Sequence, residues 1–215
     1  MERGTSRAST QDHAAWRRTY AETHYRDLPW FSPRPYVWLR TGVAAGWLRA
    51  RTRVLDIGCG AGTNSIFLAR SGFRASGVDL APAAIDAARR RADRAGVRVD
   101  FRVADALHLP YRTGTFGGLV DVGCFHTLPP PLRRDYAREL ARVTRPGGRY
   151  LLSWVAREYT EARGPPHRPS LEEVAAAFEP EFLFLRTEFE PGRPGHISAY
   201  RGLLERRRSP QPPPR

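Results

Sequence analysis

From residue 52 to residue 155 the chain alternates between two hydrophobic rhythms. Short apolar runs rich in β-branched residues (RVLDIG, RASGVDL, VRVDFRVAD, GGLVDVGCF and RYLLSWVA) read as strands. Between them lie stretches with apolar residues at helical spacing. TNSIFLARSG stops at Gly72, and PAAIDAARRRADRAG has Pro82 near its start, one face of Ala84, Ile85 and Ala88, and Gly96 at its close. PPLRRDYARELARVT repeats Leu132, Tyr136, Leu140 and Val143, and RPGG then turns the chain into the fifth strand. The triple arginine Arg89, Arg90 and Arg91 is expected to face water. Strand and helix in regular alternation build βα units, hence a parallel sheet.

Beyond that block, Ser170 with Glu173 three residues later makes a capping box for the helix LEEVAAAFE. EFLFLRTEFE and HISAYRGLLE read as two more strands, an antiparallel pair at one sheet edge. Two helices precede the first strand, near QDHAAWRRTYAETHY and RPYVWLRTGVAAGWLRA. The expected division is a loose N-terminus over 1–10, one domain over 11–206 with a helical lid to about residue 50, and a loose proline-rich tail over 207–215.

A length of 215 residues suits one α/β domain. No apolar run nears the roughly 20 residues of a membrane span and no signal-peptide core opens the chain, so a cytoplasmic protein with no membrane partner is expected. Cys59 and Cys124 are too few for a disulfide framework and lack metal-ligand spacing, so no metal site is expected. The net charge of +13 suggests nucleic acid, but every basic residue is arginine and the arginines are spread along the whole chain. A solvated surface accounts for that spread, and a nucleic-acid partner is not expected.

The chemistry concentrates in VLDIGCGAGTN, residues 54–64. A strand that runs into a glycine-rich turn and then a helix aims backbone N–H groups and a positive helix end at a ligand. The glycines Gly58, Gly60 and Gly62 follow GxGxG, with Thr63 next, unlike the GxGxxG of dinucleotide sites. Asp56, two residues before Gly58, repels a phosphate and attracts a cation. Asp79 ends the second strand beside the loop, placed for a ribose diol, and Asp105 ends the third, placed for the amine of a base. Three acids at successive strand ends describe a ligand with a charged amine, a ribose and an adenine, without phosphates.

VLDIGCGAG, GVDL and VADALHLP together resemble the class I S-adenosylmethionine-dependent methyltransferases, over roughly residues 50 to 155. The resemblance implies a doubly wound, seven-stranded, mostly parallel Rossmann-like sheet of order 3-2-1-4-5-7-6 with the last strand antiparallel. It implies S-adenosylmethionine as cofactor. Asp56 and the loop of Gly58, Cys59, Gly60 and Gly62 would hold the methionine part, Asp79 and Leu80 the ribose side, Asp105 and the Ala106 backbone the adenine, with Asp121 at the fourth strand end.

DVGCFHTLPPPLRRDYARELARVTRPGGRYLL, followed by GPPHRPSLEEVAAAF, is similar to the small-molecule branch that includes thiopurine, thiol, halide and tellurite methyltransferases. The departures are Gly117, where that branch has an acid after Phe116, and Val122, where it has a basic residue. His126 and Asp121 are the titratable candidates at that strand end. For each, a catalytic or acceptor-positioning role stands beside a structural one, a loop hydrogen bond for His126 and a cap for Asp121. Trp30, Phe31, Tyr36 and Trp38 either roof an acceptor pocket or pack the N-terminal helices. The expected function is methyl transfer to a small molecule, a thiol or other soft nucleophile; an O- or N-methyltransferase of a natural product, an RNA methyltransferase and a non-catalytic cofactor-binding protein are the alternatives.

Overall fold

The computed structural model describes residues 14–156, 167–191 and 198–208. The expected loose N-terminus and residues 209–215 lie outside that range. Seven strands form a single sheet: β1 (Arg53–Ile57), β2 (Arg74–Asp79), β3 (Asp100–Val103), β4 (Phe116–Val122), β5 (Thr144–Val155), β6 (Phe182–Glu190) and β7 (Ala199–Arg206). Their order is β3-β2-β1-β4-β5-β7-β6, with β7 antiparallel to both of its neighbours and the pairs β3-β2, β2-β1, β1-β4 and β4-β5 parallel. The expected topology is the observed one.

The helices are α1 (residues 14–22), α2 (Val37–Ala44), α3 (Thr63–Arg70), α4 (Pro82–Arg94), α5 (Arg133–Val143) and α6 (Leu171–Phe178). Strand alternation splits the core in two. Leu55, Ile57, Leu119, Tyr150, Leu152 and Trp154 point to the α5–α6 face, where Tyr136, Leu140 and Phe178 cover them. Val54, Val120, Leu151 and Leu203 point to the opposite face and meet Trp38 and Leu39 of α2 and Leu68 of α3. Ile85, Ala88 and Ala92 of α4 pack there with Ile66 and Phe101.

Ser170 and Glu173 close both hydrogen bonds of the expected capping box at α6, at 3.3 and 2.7 Å. Three expectations change. The second N-terminal helix is shorter than its apolar pattern, because Gly46 at φ 72° ends it while the Trp47 N–H returns to the Gly42 carbonyl. RPGG is a bulge inside β5 rather than a turn before it, since the pairing with β4 jumps from Phe116–Thr144 to Gly118–Arg149. Arg207, expected in the loose tail, bonds the carbonyls of Glu179 and Glu181.

The departure at Gly117 has a steric reason: a Cβ there would collide with Thr52 Oγ1 and crowd the Arg145 guanidinium. The long loop between β3 and β4 is held by α5, where Arg142 donates to the carbonyls of Tyr111 and Leu109 and Glu139 accepts from the Leu109 N–H. Among the described residues no helix is long and apolar enough to cross a membrane, and no group of His, Cys, Asp and Glu has metal-site geometry.

Candidate functional site

The carboxyl ends of β1, β2, β3 and β4 lie side by side and carry the chemistry that the sequence gathers into separate motifs. Gly58, Gly60 and Gly62 all have positive φ, at 63°, 51° and 77°, so the turn from β1 into α3 is one that L side chains rarely adopt. A Cβ on Gly58 would come within 2.8 Å of the Cys124 Cβ, and one on Gly62 within 2.8 Å of the Phe101 ring. The loop is therefore pressed between the β4 turn and the α4 side. Cys124 serves it as a small packing residue, and both cysteines are free thiols.

Asp79 ties this loop to the second strand. Its two carboxylate oxygens accept the N–H groups of Gly60 and Ala81, each at 2.9 Å. Burial raises its pKa against the pull of those hydrogen bonds. Each oxygen keeps a second lone pair, so the group can still accept from a ligand hydroxyl. Leu80 follows it, half-buried. Asp105 caps its own turn by accepting the Leu107 N–H at 2.9 Å, with His108 Nδ1 at 3.6 Å, and Ala106 lies between them, half-buried.

Asp56 departs from the position expected of it. It is 2% exposed, and its carboxylate takes a 2.6 Å hydrogen bond from the Ser65 hydroxyl of α3. Burial pushes its pKa up to about 7, and the charges of Asp121 and Asp79 add to the rise. Alternation along β1 turns it toward Ser65 of α3, behind the loop.

Asp121 points to the other face. Its carboxylate accepts from Cys124 N–H (2.7 Å), Phe125 N–H (3.1 Å), Tyr136 O–H (2.6 Å) and Tyr150 O–H (3.3 Å). Burial still drives its pKa up to about 6. A buried carboxylate with four donors holds the turn after β4 in shape. His126, on that turn, accepts the Val155 N–H at Nδ1 over 3.3 Å, and burial lowers its pKa to about 4. It is neutral at pH 7 and weak as a base. Of the two readings open for each residue, the geometry favours the structural one.

The N-terminal aromatics separate. Trp38 is 4% exposed and packs edge-on to Trp47, which is ordinary core packing. Trp30 is 50% exposed, lies edge-on to Trp16 and donates its indole N–H to the Tyr20 hydroxyl at 3.1 Å. Phe31 packs on Tyr25, and Tyr36 reaches Ser153 of β5 and Arg201 of β7.

Two residues near the loop escape sequence reading. Tyr20, from α1, puts its hydroxyl 2.9 Å from where a Cβ of Gly60 would stand, and burial followed by the Asp79 charge pushes its pKa up. Arg91, expected in water, instead donates to the Ala61 carbonyl and to Thr63 Oγ1, with its guanidinium over the Tyr25 and Phe31 rings. Arg89 and Arg90 are exposed as expected. The spacing of α4 carried the signal for Arg91, since it follows Ala84 and Ala88 by seven and three residues on the packed side. Nothing in the sequence marks Tyr20.

Residues 54–148 match a family model described as a methyltransferase domain. A 2-heptyl-1-hydroxyquinolin-4(1H)-one methyltransferase of Mycobacteroides abscessus is 38% identical over 100 residues, 46% of this chain and 44% of that protein. The chain spans about half the length of the curated relatives it matches, 44% and 51% for two of them. A solved structure described as the conversion of a disulfide bond into a thioacetal group during echinomycin biosynthesis has a TM-score of 0.80 at 25% identity, covering 91% of this chain and 92% of that one. A Burkholderia thailandensis 1,6-didemethyltoxoflavin-N1-methyltransferase solved with S-adenosylhomocysteine has a TM-score of 0.75 at 20% identity, covering 95% and 91%.

Proposed function

We propose that the chain is an S-adenosylmethionine-dependent methyltransferase whose small-molecule acceptor carries a nucleophile that is ready at neutral pH, a thiol or comparable soft atom. The observation that carries the acceptor half is the state of the two titratable groups at the β4 end. Asp121 is fully buried and accepts from four donors, three of them on one oxygen, and His126 is a neutral imidazole with a pKa lowered to about 4. Neither is poised to take a proton from an alcohol. A thiol, with a pKa of about 8.5, needs almost no base.

The cofactor half rests on the rim of the sheet. The donor supplies an electrophilic methyl on a sulfonium, and the residues present fit it. Gly60 leaves a bare patch of backbone under Tyr20, Asp79 keeps lone pairs for a ribose diol, and Asp105 with the Ala106 backbone would take the adenine. Asp79 adds negative field behind a ligand of positive charge, without a phosphate to oppose, and Asp56 adds to it only as it ionises around pH 7. What the chain then does is orient two reactants and exclude water, the larger part of the help this displacement requires.

The likeness to a structure described as the conversion of a disulfide bond into a thioacetal group supports a sulfur acceptor. A second reading is an acidic hydroxyl, which meets the same requirement of needing no strong base, and the relative named for a 1-hydroxyquinolin-4(1H)-one favours it. Incubation with methyl-labelled S-adenosylmethionine and a panel of thiols, N-hydroxy compounds, phenols, alcohols and amines, read by product mass, tests both. Label in thiols or N-hydroxy compounds supports the proposal, and label confined to alcohols or amines contradicts it.

A further inference from the structure

Ser153 of β5 and Arg201 of β7 are register partners, and alternation gives them the same face as Leu151 and Leu203, under α2. Tyr36, the residue before α2, reaches both. The Ser153 hydroxyl lies 3.0 Å from the Tyr36 hydroxyl, and Arg201 Nε donates to that same oxygen over 3.2 Å. The guanidinium stands 5.3 Å from the Tyr36 ring centre, and its Nη2 is paired with Glu190.

A hydrogen count leaves a surplus. Tyr36 and Ser153 each carry one hydroxyl proton, and the bond between them uses one of the two, whichever way it runs. Arg201 brings its own proton. One O–H therefore has no acceptor among the described residues, nor has Arg201 Nη1. With Ser153, 5% exposed, donating to Tyr36, the spare proton is that of the half-buried Tyr36 hydroxyl, which is free to donate to a ligand. The carboxylate that meets this cluster, Glu190, is already engaged by Arg201.

The surplus lies beside the proposed reaction centre. Ser153 pairs with Val122 at the end of β4, and its carbonyl accepts the N–H of Gly123, the residue before the cysteine that packs on Gly58. The Tyr36 N–H is itself fixed by Asn64 Oδ1, in the first turn of α3, at 3.0 Å. Tyr36 thus links the glycine loop to the paired strands β5 and β7.

We infer that Tyr36, Ser153 and Arg201 receive an oxygen of the methyl acceptor, a carboxylate or carbonyl held near its reacting atom. The inference rests on the methyl-transfer reading above. Tyr36 donates the free O–H and Arg201 the free N–H, so the cluster selects acceptors that carry such an oxygen over those that lack it. Arg201 also acts as a positioning residue, because its Nε fixes the hydroxyl that donates.

Calorimetry on the full chain saturated with S-adenosylhomocysteine, titrated with 2-mercaptobenzoate and with thiophenol, tests it. The expected result is binding of 2-mercaptobenzoate about tenfold or more tighter, the scale of one charge-assisted hydrogen bond. That preference should vanish in Tyr36→Phe combined with Ser153→Ala, and shrink in Arg201→Gln, which serves alone if the double variant fails to fold. Equal binding of the two thiols, binding of neither, or a preference that survives the substitutions overturns the inference while leaving the methyl-transfer reading in place. Failure of S-adenosylhomocysteine itself to bind removes both.

Discussion

The Arg91 guanidinium stands 5.2 Å from the centre of the Phe31 ring while the same side chain donates to the Ala61 carbonyl of the glycine loop. One residue of α4 thus fastens the N-terminal segment to the cofactor loop, helped by the Thr63 hydroxyl, which donates to the Ser32 carbonyl at 2.9 Å. The N-terminal segment and the loop are coupled through Arg91, a side chain outside the glycine motif, together with Thr63 inside it.

Arg91→Ala is therefore expected to weaken S-adenosylhomocysteine about tenfold and to speed proteolysis of the segment before Tyr36. Arg91→Lys should recover little, since a point charge cannot lie over Phe31 and Tyr25 and still reach two loop acceptors. Calorimetry and limited proteolysis read the two effects. Unchanged affinity in the alanine variant would dismiss the coupling.

Asp79→Asn keeps an oxygen acceptor for one backbone N–H and loses the charge. Cofactor binding should weaken by about 1.5–3 kcal/mol, the worth of a hydrogen bond to a charged group. Circular dichroism must show the fold intact, because Asp79 also holds the N–H groups of Gly60 and Ala81. Equal calorimetric affinity would take the ribose away from this residue.

How far the sequence could be read follows from range. The glycine loop, the acids at the strand ends and the capping box at Ser170 are local, and alternation with helical spacing was enough to find the strands, while their order came from the family resemblance. What escaped is set by contacts across the chain. Arg201 reaches Tyr36 over 165 positions and Tyr20 reaches the loop over 40, and neither has a spacing rule to announce it. Asp56 misled for another reason: in a buried strand a one-residue step decides the face, and it turned this acid toward Ser65 rather than outward.

His126 offers a test of the missing base. Neutral above a pKa of about 4, it has no titration left to give between pH 6 and 8. The rate with a thiol acceptor should follow the thiol's own ionisation, and His126→Ala should leave cofactor affinity unchanged and slow turnover by less than about tenfold. A rate that falls by about a hundredfold or more, the scale of lost general-base catalysis, would restore His126 as the base.

Stability should also depend on pH through Asp56. Folded, it keeps its proton up to about 7, against 3.8 in the open chain. Between those values the folded state binds more protons, so this group's contribution declines as pH rises. His126 works the other way: its folded pKa near 4 lies below the ordinary 6.5, so its contribution grows with pH over that range. Asp56→Asn removes the declining part alone. Its melting temperature should gain on the wild type from pH 4 to pH 7, whereas parallel curves would mean that Asp56 ionises as freely in the fold as outside it.

The central claim is that the bare loop and the acids beside it hold a sulfonium nucleoside rather than a pyrophosphate. Thermal denaturation of the full chain with S-adenosylhomocysteine, and separately with a nicotinamide dinucleotide, tests it most directly. A rise in melting temperature with the first and none with the second is the predicted result; a rise with the dinucleotide alone would contradict the account.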